Sequence, residues 1–288
     1  MKKKADYTGK KILAVLAHPD DESFGMGGTL AYYARHGAQV DLVCATRGEA
    51  GDVDDAYLDD VKSVACLRTQ ELKCAAGFLG LHEVIFLNYR DSGMTGSVDN
   101  THPNALAAQA ILTVAQKIAH IIRQVRPDVV ITFDPIGGYR HPDHIATHQA
   151  TVSAFRMAAG EEPFTDPQDL PVHQADHLYF HTIQHTYLKM AVFFMRLFGK
   201  DPHHFGRNRD IDIASLVAVK FPVHVRVNYR EVARARERAA ACHASQGGSK
   251  MNKGFRGFIA RLANGTTDTF MQAYPLLEKR KKVRKDLF

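Results

Sequence analysis

The chain's 288 residues are 45% hydrophobic and 24% charged, the balance of a soluble globular protein long enough to bury a sizeable core. Its net charge of +6 gathers at the ends: Lys2, Lys3 and Lys4 at the start, and six basic residues between positions 279 and 285. No aromatic residue interleaves with the second run, so positions 279–288 read as a solvated basic tail and not as a nucleic-acid surface.

Residues 11–17 (KILAVLA) are a short apolar run, the pattern of a buried first strand. A helix over 26–36, ended by Gly37, leads to a second strand at 40–45 (VDLVCA). A helix over 60–78, with Gly77 and Gly80 at its exit, precedes a third strand at 83–87 (EVIFL). A long amphipathic helix over 105–125 stops at Arg126-Pro127; a fourth strand spans 128–133 (DVVITF) and a helix spans 143–157. Residues 160–171 read as a loop, 177–181 as another strand, 222–227 as an alternating strand and 229–243 as a helix. Residues 182–215 fit no simple element. The wider stretch 160–220 reads as an insertion or lid-like segment, and its most apolar part, 190–198, is too short to span a bilayer and carries Arg196. Strands alternating with helices predict an α/β fold. We expect one domain over 1–288, a Rossmann-like, mostly parallel sheet flanked by helices with an elaborated C-terminal part.

The four cysteines, Cys44, Cys66, Cys74 and Cys242, form no CxxC pair, so no Cys-rich zinc site is indicated and scattered thiols fit a reducing compartment. The basic start lacks the apolar run of a signal peptide, and a cytoplasmic location is expected. No GxGxxG follows the first strand, which disfavours a dinucleotide cofactor; Gly27-Gly28 reads as a close-packed helix entry.

Ligand sites of parallel α/β sheets lie beyond the carboxyl ends of the strands, and the unusual polar residues cluster there. Ala17-His18-Pro19-Asp20-Asp21-Glu22 follows the first strand. Adjacent carboxylates repel and lose solvation unless a cation compensates. His18 and Asp21, three apart across a turn, can face one such cation. His141-Pro142-Asp143-His144 follows the fourth strand, where one histidine can complete the site and the other stay free for chemistry. A His2Asp set with open positions suits catalytic zinc and equally non-haem iron(II).

AHPDDE near the start and HPDH after a later strand together resemble the PIG-L/LmbE-like deacetylase family. That family includes N-acetylglucosaminyl-phosphatidylinositol deacetylases and the deacetylases and amidases of mycothiol and bacillithiol metabolism. The resemblance runs over about 11–148 and resumes at 222–246, where Ala241-Cys242-His243-Ala244-Ser245-Gln246 is similar to a late H-x-S-Q segment. It implies zinc on His18, Asp21 and His144, Asp20 as general base, and a protonated His141 against the tetrahedral oxyanion. Asp143 would orient His141 and hold it cationic, or cap the helix. Arg68 matches a sugar-contacting arginine, and Arg47 and Glu49 lie in a T-x-G-E segment that lines the site. Asp91, Ser92 and His243 would lie near the same pocket. The expected reaction is hydrolysis of an N-acetyl group from an amino-sugar conjugate, a small-molecule substrate. Cleavage of a thiol-conjugate amide, an iron(II) oxygenase and a non-catalytic binding module are the rivals. A homo-oligomer is compatible with this reading.

Overall fold

The computed structural model describes residues 5–59, 61–205, 209–251, 265–277 and 282–288. Its strands β1 (Lys11–Leu16), β2 (Gln39–Thr46), β3 (Glu83–Tyr89), β4 (Val129–Phe133), β5 (His177–Thr182), β6 (Val225–Asn228) and β7 (Thr267–Tyr274) form one seven-stranded sheet in the order β3-β2-β1-β4-β5-β7-β6. The first five strands of that order are parallel, and β7 runs antiparallel to both β5 and β6. The order reverses between β1 and β4, which puts the topological switch point, the preferred ligand position of such sheets, at their carboxyl ends.

Both faces of the sheet are covered, so β1 is apolar from Ile12 to Leu16. Leu13 and Val15 face one core, with helices α3 (Ile111–Val125) and α4 (Pro142–Ala159); Ile12, Ala14 and Leu16 face the other, with α1 (Gly27–Arg35). This is the two-residue alternation of a strand buried on both sides. Gly28 of α1 lies flat against Tyr229, since a Cβ there would come within 2.2 Å of the ring. Close packing is therefore the role of this glycine.

Helix starts depart from their expected positions for local reasons. Helix α2 (Val64–Leu79) begins where Ser63 Oγ accepts the Cys66 N–H at 3.2 Å, and ends at Gly80 with φ 73°. Helix α3 begins at Ile111 and not at 105. The Arg90 N–H binds Asn104 O at 2.8 Å and the Leu106 N–H binds Arg90 O at 2.9 Å, which commits the backbone there to a bridge with Arg90, just past the end of β3. Residues 182–215 contain helix α5 (His185–Leu197) and a short turn at Ile213–Leu216, which bury Leu188, Val192, Ile213 and Leu216 against Ile136 and Tyr139.

Three features correct the sequence reading. Strand β7 was not expected at all. Cys74 on α2 and Cys242 on α6 (Ala233–Cys242) form a disulfide with Cα atoms 5.9 Å apart, whereas all four thiols were expected to be reduced. The C-terminal stretch is not a solvated tail over 282–288. Leu287 is fully buried, Asp286 accepts the hydroxyls of Tyr7 and Tyr33 at 2.8 and 3.0 Å, and the Arg284 backbone pairs with His224 and Arg226. Lys279, Arg280 and Lys281 lie outside the described residues. Among the described residues, no helix is long and apolar enough to cross a membrane.

Candidate metal centre and active site

Beyond β1 the chain does not enter an ordinary helix. Asp20 takes φ 120°, and residues Glu22–Met26 form a π-helical turn before α1. A non-glycine residue in that region costs on the order of 1–3 kcal/mol and persists only where its surroundings hold it. They do so here: Asp20 O accepts the N–H groups of Ser23 and Phe24 at 3.0 and 2.9 Å, and the Asp20 N–H donates to Glu22 Oε2 at 3.0 Å. This detour separates the two neighbouring aspartates. Asp21 is turned inward against His18 and His144, while Asp20 faces Arg68.

Three side chains converge on one point. His18 Nδ1 lies 3.2 Å from His144 Nε2 and 3.5 Å from Asp21 Oδ2, and His144 Nε2 lies 3.2 Å from Asp21 Oδ1. Tetrahedral zinc with bonds of about 2.0–2.2 Å needs ligand atoms about 3.3–3.6 Å apart, so the triangle has the size of one metal-ion face. Its corners are braced. The His18 N–H donates to Asp21 Oδ2 at 2.7 Å, and Phe133 stacks on His144 with ring centres 4.0 Å apart. The ring nitrogens of His18, His141 and His144 also gather within 4.8 Å of one another.

A second layer sets the His18 tautomer. His18 Nε2 lies 3.2 Å from Asp143 Oδ2 and 3.4 Å from Asp91 Oδ1, so it carries the proton and leaves Nδ1 to face the triangle. Asp143 in turn accepts the Ser92 N–H at 2.9 Å and the Ser92 hydroxyl. Burial opposes charge on His18, but Asp91, Asp143 and Asp21 outweigh it and hold its pKa well above the ordinary value. Burial likewise opposes ionisation of Asp21, yet His144 and His18 keep its pKa well below the usual carboxylate range. Buried carboxylates around two imidazoles create a demand for positive charge that a divalent cation would meet.

Asp143 does not orient His141 in the expected way, because its carboxylate is taken up by His18 and Ser92. Instead His141 caps α4: its Nδ1 accepts the Asp143 backbone N–H at 3.2 Å. That bond requires an unprotonated Nδ1. Burial, then the neighbouring His18 and His144, push the His141 pKa well below its ordinary value. The cap and the lowered pKa favour a neutral imidazole with Nε2–H as its donor over the imidazolium that the resemblance implies.

Asp20 is the most exposed carboxylate of the group, its side chain 17% accessible against 9% for Asp21, 5% for Asp91 and 0% for Asp143. It is thus the one an incoming molecule would meet. Burial lifts its pKa to about 6, against the pull of Arg68. Arg68 is not a solvent-facing helix residue. Its Nη2 donates to Pro19 O at 2.7 Å and to Asp20 Oδ2 at 3.1 Å, and its Nη1 donates to Gly48 O at 2.9 Å. Asp91 lies against His18, held by the Gly93 N–H at 2.8 Å, and its own N–H binds Glu49 Oε2 at 3.0 Å.

Two expected substrate contacts point elsewhere. Arg47 folds back over β3, with its guanidinium 4.0 Å from the Phe86 ring centre and bonded to Asn88 and Thr69. His243 is fully buried and binds Glu22 Oε1 at 2.7 Å. Conversely, Tyr139 was not singled out from the sequence, yet its ring lies 5.0 Å from that of His144 and 5.9 Å from that of His141. Burial pushes its hydroxyl pKa far up, so it stays a neutral donor. The available clue was its place between Gly137-Gly138 and the HPDH motif, where both glycines take positive φ and swing the chain back toward the site.

Fold and site define the class: the chain belongs to the PIG-L family, described as GlcNAc-PI de-N-acetylases, whose model matches residues 13–155. Among curated proteins it is 34% identical to the 1D-myo-inositol 2-acetamido-2-deoxy-alpha-D-glucopyranoside deacetylase of Streptomyces griseus, over 84% of this chain and 76% of that protein. Other relatives of that description reach 46% identity over shorter matches, and the chain spans about half the length of several of them. Two solved structures share the fold. The N,N'-diacetylchitobiose deacetylase of Pyrococcus horikoshii is 20% identical with a TM-score of 0.60, covering 91% of this chain and 83% of that one. GalB, the 4-carboxy-2-hydroxymuconate hydratase of Pseudomonas putida KT2440, is 18% identical with a TM-score of 0.60, covering 95% and 100%. The fold therefore carries more than one chemistry, and function has to be argued from the site.

Proposed function

We propose that this protein is a metal-dependent amide hydrolase that removes the acetyl group from an N-acetylglucosaminyl conjugate, with zinc held by His18, Asp21 and His144. The observation that carries the reading is the triangle of His18 Nδ1, His144 Nε2 and Asp21, with edges of 3.2–3.5 Å, beside a partly accessible Asp20. Zinc bound there would polarise an amide carbonyl and acidify a water molecule. Iron(II) fits the same donors, and loading with each ion separates the two.

In this reading Asp20 is the general base. Ionised above its pKa of about 6, it takes the proton of the attacking water and later returns it to the departing amine. The Nε2–H of neutral His141 donates to the developing oxyanion, and Tyr139, whose ring lies 5.9 Å from that of His141, is the candidate for a second donor. Asp91, Asp143 and Ser92 hold His18 in the tautomer that faces the cation. Relatives named as deacetylases of an N-acetylglucosaminyl-inositol support that conjugate as the first substrate to try.

The test is amine release from N-acetylglucosaminyl-inositol and related N-acetyl conjugates by zinc-loaded and iron-loaded protein, with metal content measured alongside. We expect one divalent ion per chain in the wild type, near-zero metal in His144→Ala, and turnover that disappears with it. Full metal binding by His144→Ala would remove the ligand assignment. Release from longer amides alone would redirect the reading to an amidase.

A further inference from the structure

The backbone leading from Asp20 into the π-helical turn is held from behind by a buried pair, Glu22 and His243. Glu22 and His243 are both 0% exposed, and Glu22 Oε1 meets His243 Nε2 at 2.7 Å. The other oxygen, Oε2, accepts the Asp20 N–H at 3.0 Å. The Ser23 hydroxyl adds a second bond to Oε1 at 2.5 Å. A carboxylate with no access to water, bridging a histidine from a distant helix to the amide of a residue at φ 120°, calls for a reason. Helix capping explains only the bond back to the Asp20 N–H, as in half of a capping box; it does not explain the buried histidine on the other oxygen.

We propose that Glu22 and His243 are positioning residues for Asp20, holding the base in its strained conformation so that its carboxylate presents one oxygen to Arg68 and the other to the site. This inference rests on the reading of Asp20 as general base. Three anchors converge on residues 19–20. Glu22 takes the Asp20 amide, Arg68 takes Pro19 O and Asp20 Oδ2, and the Ser23 and Phe24 amides take Asp20 O. His243 fixes Glu22 from the end of α6. That end is itself tied down by the adjacent Cys242–Cys74 disulfide and by Ser245, whose N–H and hydroxyl bind Glu71 at 2.8 and 2.7 Å. His243 of the late H-x-S-Q segment thus reaches Asp20 through Glu22.

The experiment compares Glu22→Ala, Glu22→Gln, His243→Ala and Asp20→Ala in the full chain. Gln keeps an acceptor for the Asp20 amide, and Ala does not. Loss of about an ångström of alignment costs about 100-fold in rate. We therefore expect Glu22→Ala to lose about 100-fold in kcat with KM and bound metal unchanged, His243→Ala to lose less, and Glu22→Gln to return to within a few-fold of wild type. Hydrogen exchange of the peptide spanning 17–24, read without substrate, is expected to accelerate in Glu22→Ala and to stay slow in Glu22→Gln. Unchanged exchange in Glu22→Ala, or equal loss of kcat in Gln and Ala variants, overturns the positioning role. If Glu22→Ala does not fold, the His243→Ala and Glu22→Gln pair decides by the same two readouts. Near-normal turnover by Asp20→Ala is a separate failure, that of the general-base reading itself.

Discussion

Replacing Arg68 with Met keeps the volume of a buried helix residue and removes its charge from Asp20. Arg68 is 3% exposed, with Nη2 3.1 Å from Asp20 Oδ2. Asp20 already sits near pKa 6, lifted by burial and by Asp21 and held down chiefly by this guanidinium. An opposite charge at such range shifts a carboxylate by about 1–3 units, each unit being about 1.4 kcal/mol. Without it, only the weaker pull of His243 and His18 still opposes burial and Asp21, and the pKa rises by that amount. The acid limb of kcat/KM, where Asp20 must be ionised, should move up by about 1–3 pH units, with the rate below it falling tenfold per unit. A bound divalent ion lowers the limb in both proteins, so the displacement between them is the quantity to read. Stability moves with it. The folded pKa of Asp20 lies above the unfolded value of 3.8, so the penalty is absent below pH 3.8 and grows as pH rises through the folded pKa. The variant's extra penalty is therefore confined to pH above about 6. The assay is a pH–rate profile of metal-loaded protein from pH 5 to 9, with urea unfolding at the two extremes. Coincident acid limbs would refute the reasoning, whatever the loss in kcat.

Gly48→Ala should reproduce much of that phenotype. Gly48 has φ 71° and an added Cβ would stand 2.0 Å from Arg68 Nη1, so activity should fall about tenfold or more, measured as kcat/KM with metal content unchanged. Asp268 accepts the Thr29 N–H and hydroxyl at 2.9 and 2.7 Å, and burial raises its pKa to about 6. As pH rises from 3.8 through 6 the unfolded state ionises first, so this group destabilises the fold by up to about 3 kcal/mol. Asp268→Asn should therefore gain stability relative to wild type over that window, and a constant difference in unfolding free energy from pH 4 to 8 would rule this out.

The strands other than β7 and the site region were legible because both are local patterns. An unbroken apolar run from Ile12 to Ala17 means a strand covered on both faces, and strands alternating with helices mean parallel pairing. His18 with Asp21, and His141 with His144, were readable as pairs because three-residue spacing at a strand end lets two side chains face one point. That the pairs meet depends on sheet order. Only the adjacency of β1 and β4 brings His18 within 3.2 Å of His144 across 126 positions.

Spacing could not say which partner each polar group would take. Asp143 stands beside His141 in the chain and was read as its orienting acid, yet the backbone cap consumes His141 Nδ1 and the carboxylate turns to His18 and Ser92. Arg47 and His243 carried the right chemistry for substrate contact, but one is drawn onto Phe86 and the other is sealed behind Glu22. Strand β7, the Cys74–Cys242 bond and the docking of 282–288 join segments far apart in sequence, and no short-range period encodes them. The alternating α/β pattern and the places of two candidate metal-ligating motifs are readable from the chain alone, because backbone periodicity and turn chemistry act over a few residues. Which atoms form the metal-sized triangle, which ring nitrogen of His141 accepts the helix cap and what holds Asp20 come from packing, because those depend on burial and on partners that the fold alone brings within hydrogen-bonding distance.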